Sequence, residues 1–253
     1  MIVELSEKLL YKRANELCKK EEYEKALRLY QRLENENATD WRYSNMQGYC
    51  YMFLEDYETA RSCFIRAKNA GGLASTIANN MAWSYIEEEQ YLLAKEQIEA
   101  VIKDYPFDPY LHINMAKSMH GLKRHKEAIY YFEKTIQLQP NFYDAYFGLG
   151  LDYYDVMDYK KAADCFVQFL KHNDCMDSLY FLSKCYLELE NYVEHIKIAN
   201  KLIIEDQDDV EILLDRAYSY HKLGSVLKAE KDLRHVLKID PENEEAIDML
   251  EQK

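Results

Sequence analysis

Alanine returns every 34 residues along this chain. Ala26, Ala60, Ala94, Ala128 and Ala162 keep that interval without interruption, and Ala229 rejoins the register after one unit shortened by a residue. Other columns share the period. Three residues earlier stand Tyr23, Tyr57, Tyr91, His125, Tyr159 and Val226, and four residues later stand Tyr30, Phe64, Ile98, Phe132, Phe166 and Leu233. Twelve residues before the alanines runs a small-residue column, Ala14, Gly48, Ala82, Ala116, Gly150 and Ala217. Leu17, Tyr51, Tyr85, Met119, Tyr153 and Tyr220 follow it three places on. Spacings of three and four place such columns on one helix face. Small residues let a second helix approach closely, and large ones fill the space beside the contact. One helix pair cannot bury that face alone, but stacked copies can, so the period defines an array of helix pairs. With only 7 Gly and 4 Pro in 253 residues, little punctuation is left for an all-β alternative.

These columns resemble the tetratricopeptide-repeat (TPR) family, whose unit is a pair of antiparallel helices. The fullest match is Tyr146-Phe147-Gly148-Leu149-Gly150-Leu151-Asp152-Tyr153, followed by Tyr159-Lys160-Lys161-Ala162 and Phe166. Pro106, Pro140 and Pro241 match the family's closing proline, and Pro109 stands beside the same kind of turn. The resemblance implies an all-α solenoid over residues 1–253 as a single domain. Its units are expected near 7–40, 41–74, 75–108, 109–142, 143–175, 176–209 and 210–241, with a capping helix over 243–251. Asp108-Pro109 has the chemistry of a helix start, and Gly71-Gly72 that of a helix end. The sixth unit departs from the pattern. His195 stands where the small alanine belongs and Ala199 where the aromatic belongs, and the unit before it is one residue short near 172–177. Irregular packing and a locally weak repeat are expected there.

Net charge is −13, which disfavours a nucleic-acid partner. Most of it lies in residues 143–253, where 24 acids face 13 bases. No apolar run reaches the roughly 20 residues of a membrane helix. Residues 1–4, Met-Ile-Val-Glu, lack the basic and apolar regions of a signal peptide. Six cysteines, with no Cys-x-x-Cys pair, read as small buried thiols of a cytoplasmic chain, whose stability a reductant should leave unchanged.

Catalytic motifs are absent from the sequence. There is no Gly-x-x-x-x-Gly-Lys-Ser/Thr loop, no Gly-x-Gly-x-x-Gly, no Gly-x-Ser-x-Gly and no His-Glu-x-x-His. His112, His120 and His221 read as packing or groove residues. Asp206-Gln207-Asp208-Asp209 lacks the Gly and distal Glu of a calcium loop and reads as a helix-capping turn. The chain is therefore not expected to be an enzyme or to need a cofactor or metal.

The resemblance implies that the first helix of each pair lines an inner wall. Carried onto this sequence residue by residue, it gives a peptide-binding groove of Asn45, Tyr49, Asn79, Asn80, Trp83, Tyr110, Asn114, Lys117, Phe147, Tyr154 and Tyr218. Asparagine amides can donate to and accept from a peptide backbone at once, and aromatics supply binding energy at low entropic cost. The bland reading of Trp83, Tyr49 and Tyr154 is packing between neighbouring helices. The carboxylate clamp of chaperone-tail-binding TPR proteins is incomplete: Asn15 and Asn80 match, but Tyr11 and Met46 do not. The expected role is an interaction scaffold holding a peptide or helix of a partner protein. The alternative is a regulator that senses a signalling peptide or small ligand. Such regulators usually add a DNA-binding or effector domain, and residues 1–6 alone precede the first unit. A polarised groove is also expected, with Lys8, Lys12, Lys19 and Arg42 at one end and Asp144, Asp155, Asp177, Glu188, Glu211 and Asp215 at the other. On that reading Asp215→Lys weakens a basic ligand without unfolding the protein.

Overall fold

The computed structural model describes residues 2–251, with side chains from residue 6 onward, so the signal-peptide reading of residues 1–4 lies outside the described side chains. The chain divides into two compact units, Met1–Gln139 and Pro140–Lys253. The first unit holds α1 (Ile2–Cys18), α2 (Tyr23–Glu36), α3 (Trp41–Phe53), α4 (Tyr57–Asn69), α5 (Ala74–Glu87), α6 (Tyr91–Glu99), α7 (Pro109–Gly121) and α8 (His125–Leu138). The second holds α9 (Tyr143–Asp155), α10 (Tyr159–Leu170), α11 (Met176–Glu188), α12 (Tyr192–Glu205), α13 (Val210–Lys222), α14 (Val226–Ile239) and α15 (Glu244–Glu251). No strand occurs among the described residues, and no helix among them is long and apolar enough to cross a membrane.

The repeating columns form the seam inside each helix pair. Ala26, Ala60, Ala94, Ala128 and Ala162 are fully buried, and so are Tyr30, Phe64, Ile98 and Phe166. The closeness of the seam is plainest at the two glycines. A Cβ built on Gly48 would stand 2.4 Å from the Phe64 ring, and one on Gly150 would stand 2.7 Å from the Phe166 ring. Both rings are fully buried, so neither has room to swing aside.

One turn is repeated within every pair. Its third residue lies at positive φ: Glu21, Glu55, Glu89, Lys123, Met157, Glu190 and Gly224, between 54° and 70°. The following N–H then closes on a carbonyl five residues back, as in Asp56 to Tyr51 (3.0 Å), Gln90 to Tyr85 (2.8 Å) and Ser225 to Tyr220 (2.8 Å). This is the Schellman end of the first helix. The residue giving that N–H is also the N-cap of the second helix. Asp56 and Asp158 accept there from the backbone N–H of Thr59 and Lys161. The interval from Met157 to Glu190 is one residue shorter than the rest, which places the deletion between α10 and α11.

The turns between pairs follow their sequence signals. Asp108 caps α7, accepting from Tyr110 N–H at 3.0 Å, with Pro109 in the first turn. Gly71 ends α4 at φ 84°, and Gly72 N–H reaches Ala67 C=O at 2.9 Å. Asp209 caps α13 through Ile212 N–H at 3.0 Å, the capping role expected for that acidic run.

Six of the seven intra-pair turns put a side chain where glycine costs nothing. Left-handed backbone costs an L-residue about 1–2 kcal/mol, against about 0.5–1 kcal/mol for the extra freedom glycine gives the unfolded chain. Glu89→Gly is therefore expected to stabilise the protein by roughly 0.5–1 kcal/mol in urea unfolding. Gly48→Ala is expected to destabilise it, because an overpacking cost of about 1–3 kcal/mol outweighs a helix-propensity gain of about 1 kcal/mol. A stabilising Gly48→Ala would show that the α3–α4 seam is looser than described.

Candidate functional site

In the first unit, the first helices α3, α5 and α7 lie beside one another. Asn80 Nδ2 donates to Asn45 Oδ1 at 2.8 Å, joining α5 to α3, and Asn114 Nδ2 donates to Asn79 Oδ1 at 2.6 Å, joining α7 to α5. Asn114 also reaches the Asn79 carbonyl at 3.3 Å. The four asparagines are thus a rung-like set of interhelical bonds. Asn114 is buried, and the other three are half-buried. An amide has two donors and two acceptor lone pairs, so one such bond leaves the half-buried Asn45, Asn79 and Asn80 with further capacity.

Beside the amides lies an aromatic patch. Tyr49 and Trp83 ring centroids are 5.9 Å apart, Phe53 stands 4.9 Å from Tyr49 and 5.6 Å from Trp83, and Tyr23 stacks on Phe53 at 4.7 Å. Trp83 Nε1–H donates to Glu87 at 2.9 Å. The rings therefore pack between neighbouring helices, as the bland reading held, and still present surface: Tyr49 and Trp83 are half-buried, and Phe53 is 43% exposed. Phe53 was missed in the sequence because it is the last residue of α3. Its place four residues after Tyr49 was the available signal. Tyr110, at 52% exposure, and the exposed Lys117 extend the same wall along α7.

The second unit treats its three candidates differently. Phe147 packs 5.3 Å from Phe169 and 6.1 Å from Phe166, and Tyr154 lies 5.4 Å from both Tyr159 and Phe181. Both work mainly as packing residues. Tyr218 is 39% exposed, 6.0 Å from Tyr192, with the Lys222 ammonium 5.0 Å from its ring. Ile113 and Leu214, which occupy the places of Asn45, Asn79 and Phe147 in their own repeats, are buried and offer a ligand little.

The expected charge polarity needs correction. Lys184 Nζ lies 2.6 Å from Asp215 and 2.5 Å from Glu211, and Tyr180 Oη donates to Glu211 at 3.0 Å. Burial alone would lower the Lys184 pKa, but these two carboxylates outweigh it and raise it. Asp215 is itself pushed up by burial, in part offset by Lys184. Two of the acids assigned to a basic ligand are therefore held by a lysine of the chain. Asp215→Lys would place a second ammonium against Lys184 and destabilise the fold, contrary to the expectation from sequence. Arg42, assigned to the opposite end, is likewise engaged: Nε donates to Asp40 at 2.8 Å, and its guanidinium lies 5.7 Å from the Tyr11 ring centre.

Near this cluster His195 is fully buried, with Nδ1 2.8 Å from Ser219 Oγ and no hydrogen-bond partner for Nε2. The fully buried Ala199 stands one helical turn on. Bulk has been exchanged along α12, large for small at one position and small for large at the next, rather than lost. That tempers the expected weakness of this repeat, and the unpartnered Nε2 is its remaining physical cause.

The chain is thus an all-α helical-repeat protein with an amide-and-aromatic wall on successive first helices. Sequence models described as tetratricopeptide repeat match residues 79–141 and, separately, 42–70 and 210–243. A model described as anaphase-promoting complex, cyclosome, subunit 3 matches residues 122–202. Protein unc-45 homolog B of Xenopus laevis is 30% identical over 105 residues, 40% of this chain and 11% of that protein. The chain spans about a tenth of the length of the curated relatives it matches. Among solved structures, the C-terminal part of a TPR repeat-containing protein from Cytophaga hutchinsonii aligns with a TM-score of 0.67 at 21% identity, over 95% of this chain and 99% of that one. YrrB, described as a TPR protein with an unusual peptide-binding site, aligns with a TM-score of 0.51 at 21% identity, over 62% of this chain and 91% of its own. The chain is a member of the tetratricopeptide-repeat family.

His195 gives the second unit a signature in pH. Burial, reinforced by Lys184 and Arg216, lowers its pKa to about 4 from the ordinary 6.5. The folded state then binds fewer protons than the unfolded one, so its contribution is intact above pH 6.5 and is lost as pH falls toward 4. The loss amounts to roughly 3 kcal/mol. Urea unfolding at several pH values should show a slope across this window that His195→Met flattens. An unchanged slope would mean that His195 is not buried neutral.

Proposed function

We propose that the protein is an interaction scaffold that binds a peptide or helix of a partner protein along the first-helix wall of its first unit. The observation that carries this reading is the adjoining of Asn45, Asn79, Asn80 and Asn114 with Tyr49, Phe53 and Trp83, flanked by exposed Tyr110 and Lys117. Amides that retain hydrogen-bonding capacity suit a peptide backbone, and aromatics beside them suit apolar side chains. That TPR proteins are generally protein-interaction modules, and that YrrB is described by its peptide-binding site, both support it. Phe147 and Tyr154 are not part of the surface in this reading. A cytoplasmic setting belongs to it, on the ground of six cysteines with no disulfide among them.

The test is a peptide selected from a random library on the full chain, with affinities then measured for single variants. Trp83→Ala is expected to cost on the order of 2 kcal/mol, about 30-fold in Kd, chiefly through faster dissociation. Tyr110→Ala and Lys117→Ala should each weaken binding several-fold. Leu92→Ala, on the exposed side of second helix α6, should leave it unchanged. If Leu92→Ala abolishes binding while the three wall variants do not, the second-helix face is the binding surface and the proposal fails.

A further inference from the structure

Cys18 and Cys50 belong to neighbouring first helices, yet their sulfurs lie 3.6 Å apart, in contact. Cys18 is the last residue of α1 and is half-buried, while Cys50 is fully buried on α3. The repeat makes this juxtaposition unusual. In the next two registers the same two places hold Met52 with Ser84 and Ile86 with Ser118, and where Cys185 takes the Cys50 place further along, Tyr154 takes the other, so no second thiol pair arises. The hydroxyl of Tyr30, from α2, donates its single proton to Asn15 Oδ1 at 2.6 Å and stands 3.7 Å from the Cys18 sulfur. The cysteines were expected from sequence to be inert packing residues, and Cys63 and Cys185 are indeed buried, with their pKa raised by desolvation.

We propose that Cys18 and Cys50 are a peroxide-oxidisable pair, and that their disulfide staples α1 to α3 at the start of the repeat array. Cys18 is the attacking sulfur. The hydrogen bond from the Cys50 thiol outweighs burial and lowers its pKa below that of an ordinary thiol, while the same contact and burial raise that of Cys50. A thiol so placed is partly thiolate near neutrality, and half-burial leaves it open to an oxidant as small as hydrogen peroxide. The Cys18 thiolate attacks one peroxide oxygen, the O–O bond breaks, and the departing hydroxide takes up a proton and leaves as water. Cys50 then attacks the sulfur of the Cys18 sulfenic acid. The S–O bond breaks, the Cys50 proton leaves with that hydroxide as water, and the S–S bond forms. Peroxide is reduced to two waters, and the two thiols lose two electrons between them. Closing 3.6 Å to the ~2.05 Å of a disulfide asks for a movement of about 1.5 Å. The last residue of a helix is where that is most easily supplied. The crosslink encloses the whole of α2 and much of α3, so it restricts the unfolded chain over that loop.

The experiment is titration of the reduced full chain with hydrogen peroxide, followed by intact mass, non-reducing peptide mapping and thermal melting. Oxidised protein should lose two hydrogens in mass and yield a single linked peptide pair containing Cys18 and Cys50. It should also melt several degrees higher, a rise that dithiothreitol reverses. Cys63→Ser should change none of this. Cys50→Ser, a residue the fold already accepts at Ser84 and Ser118, should abolish the crosslink and let a dimedone adduct accumulate on Cys18. Oxygen added to Cys18 in the wild type with no loss of two hydrogens would overturn the proposal, as would a linked pair that includes Cys63 or a second chain.

Discussion

Everything in each unit depends on how closely the two helices of a pair approach. At the α3–α4 seam the distance is set by a glycine facing a buried ring, so near that a single methyl on Gly48 would meet Phe64 at 2.4 Å. Close approach buries the alanine and aromatic columns completely, and that burial is the main favourable term available to a helix pair of this size. The seam also fixes rotation. With the small face turned inward, the side chains at Asn45, Tyr49, Asn79 and Trp83 must stand on the flank where one first helix meets the next. The candidate site is thus a by-product of the packing register.

The turns cooperate with the seam by letting one residue serve two helices. Asp56 closes the Schellman end of α3 with its N–H and caps α4 with its carboxylate, and Asp158 does the same between α9 and α10. No residue of this turn is spare, so its length is the same in every pair. Where the period slips by a residue, it does so between α10 and α11, outside such a turn. The repeat after the slip carries the His195 and Ala199 exchange, and its Lys184 reaches Glu211 and Asp215 on the first helix of the next repeat.

Most of the helical architecture was legible in the sequence, because alanine spacing and the positions of Asp108, Pro109 and Gly71 report backbone requirements directly. The site was legible only in part. Side-chain type and register placed Asn45, Asn80 and Trp83 on one wall, but neither says whether a group is already engaged. Asn80 is bonded to Asn45 and Trp83 to Glu87. Likewise Glu211 and Asp215 read as free acids until Lys184, from the preceding first helix, is seen between them. The pairings between first helices join residues about 31–35 apart, at the repeat distance. A search along one helix face passes over them. Phe53 escaped for a related reason, since it stands at a helix end where the turn pattern draws attention first.

On the proposed function, a partner lies on the first-helix wall of the first unit, against the aromatic patch. The chain holds two tryptophans, Trp41 at the start of α3 and Trp83 within the patch, so each indole N–H can be followed separately by NMR. Titration with a bound peptide should shift and broaden the Trp83 indole resonance, whose N–H is held by Glu87, and leave that of Trp41 nearly unmoved. A saturable titration in which the Trp83 indole stays fixed would contradict the account and place the partner elsewhere on the protein.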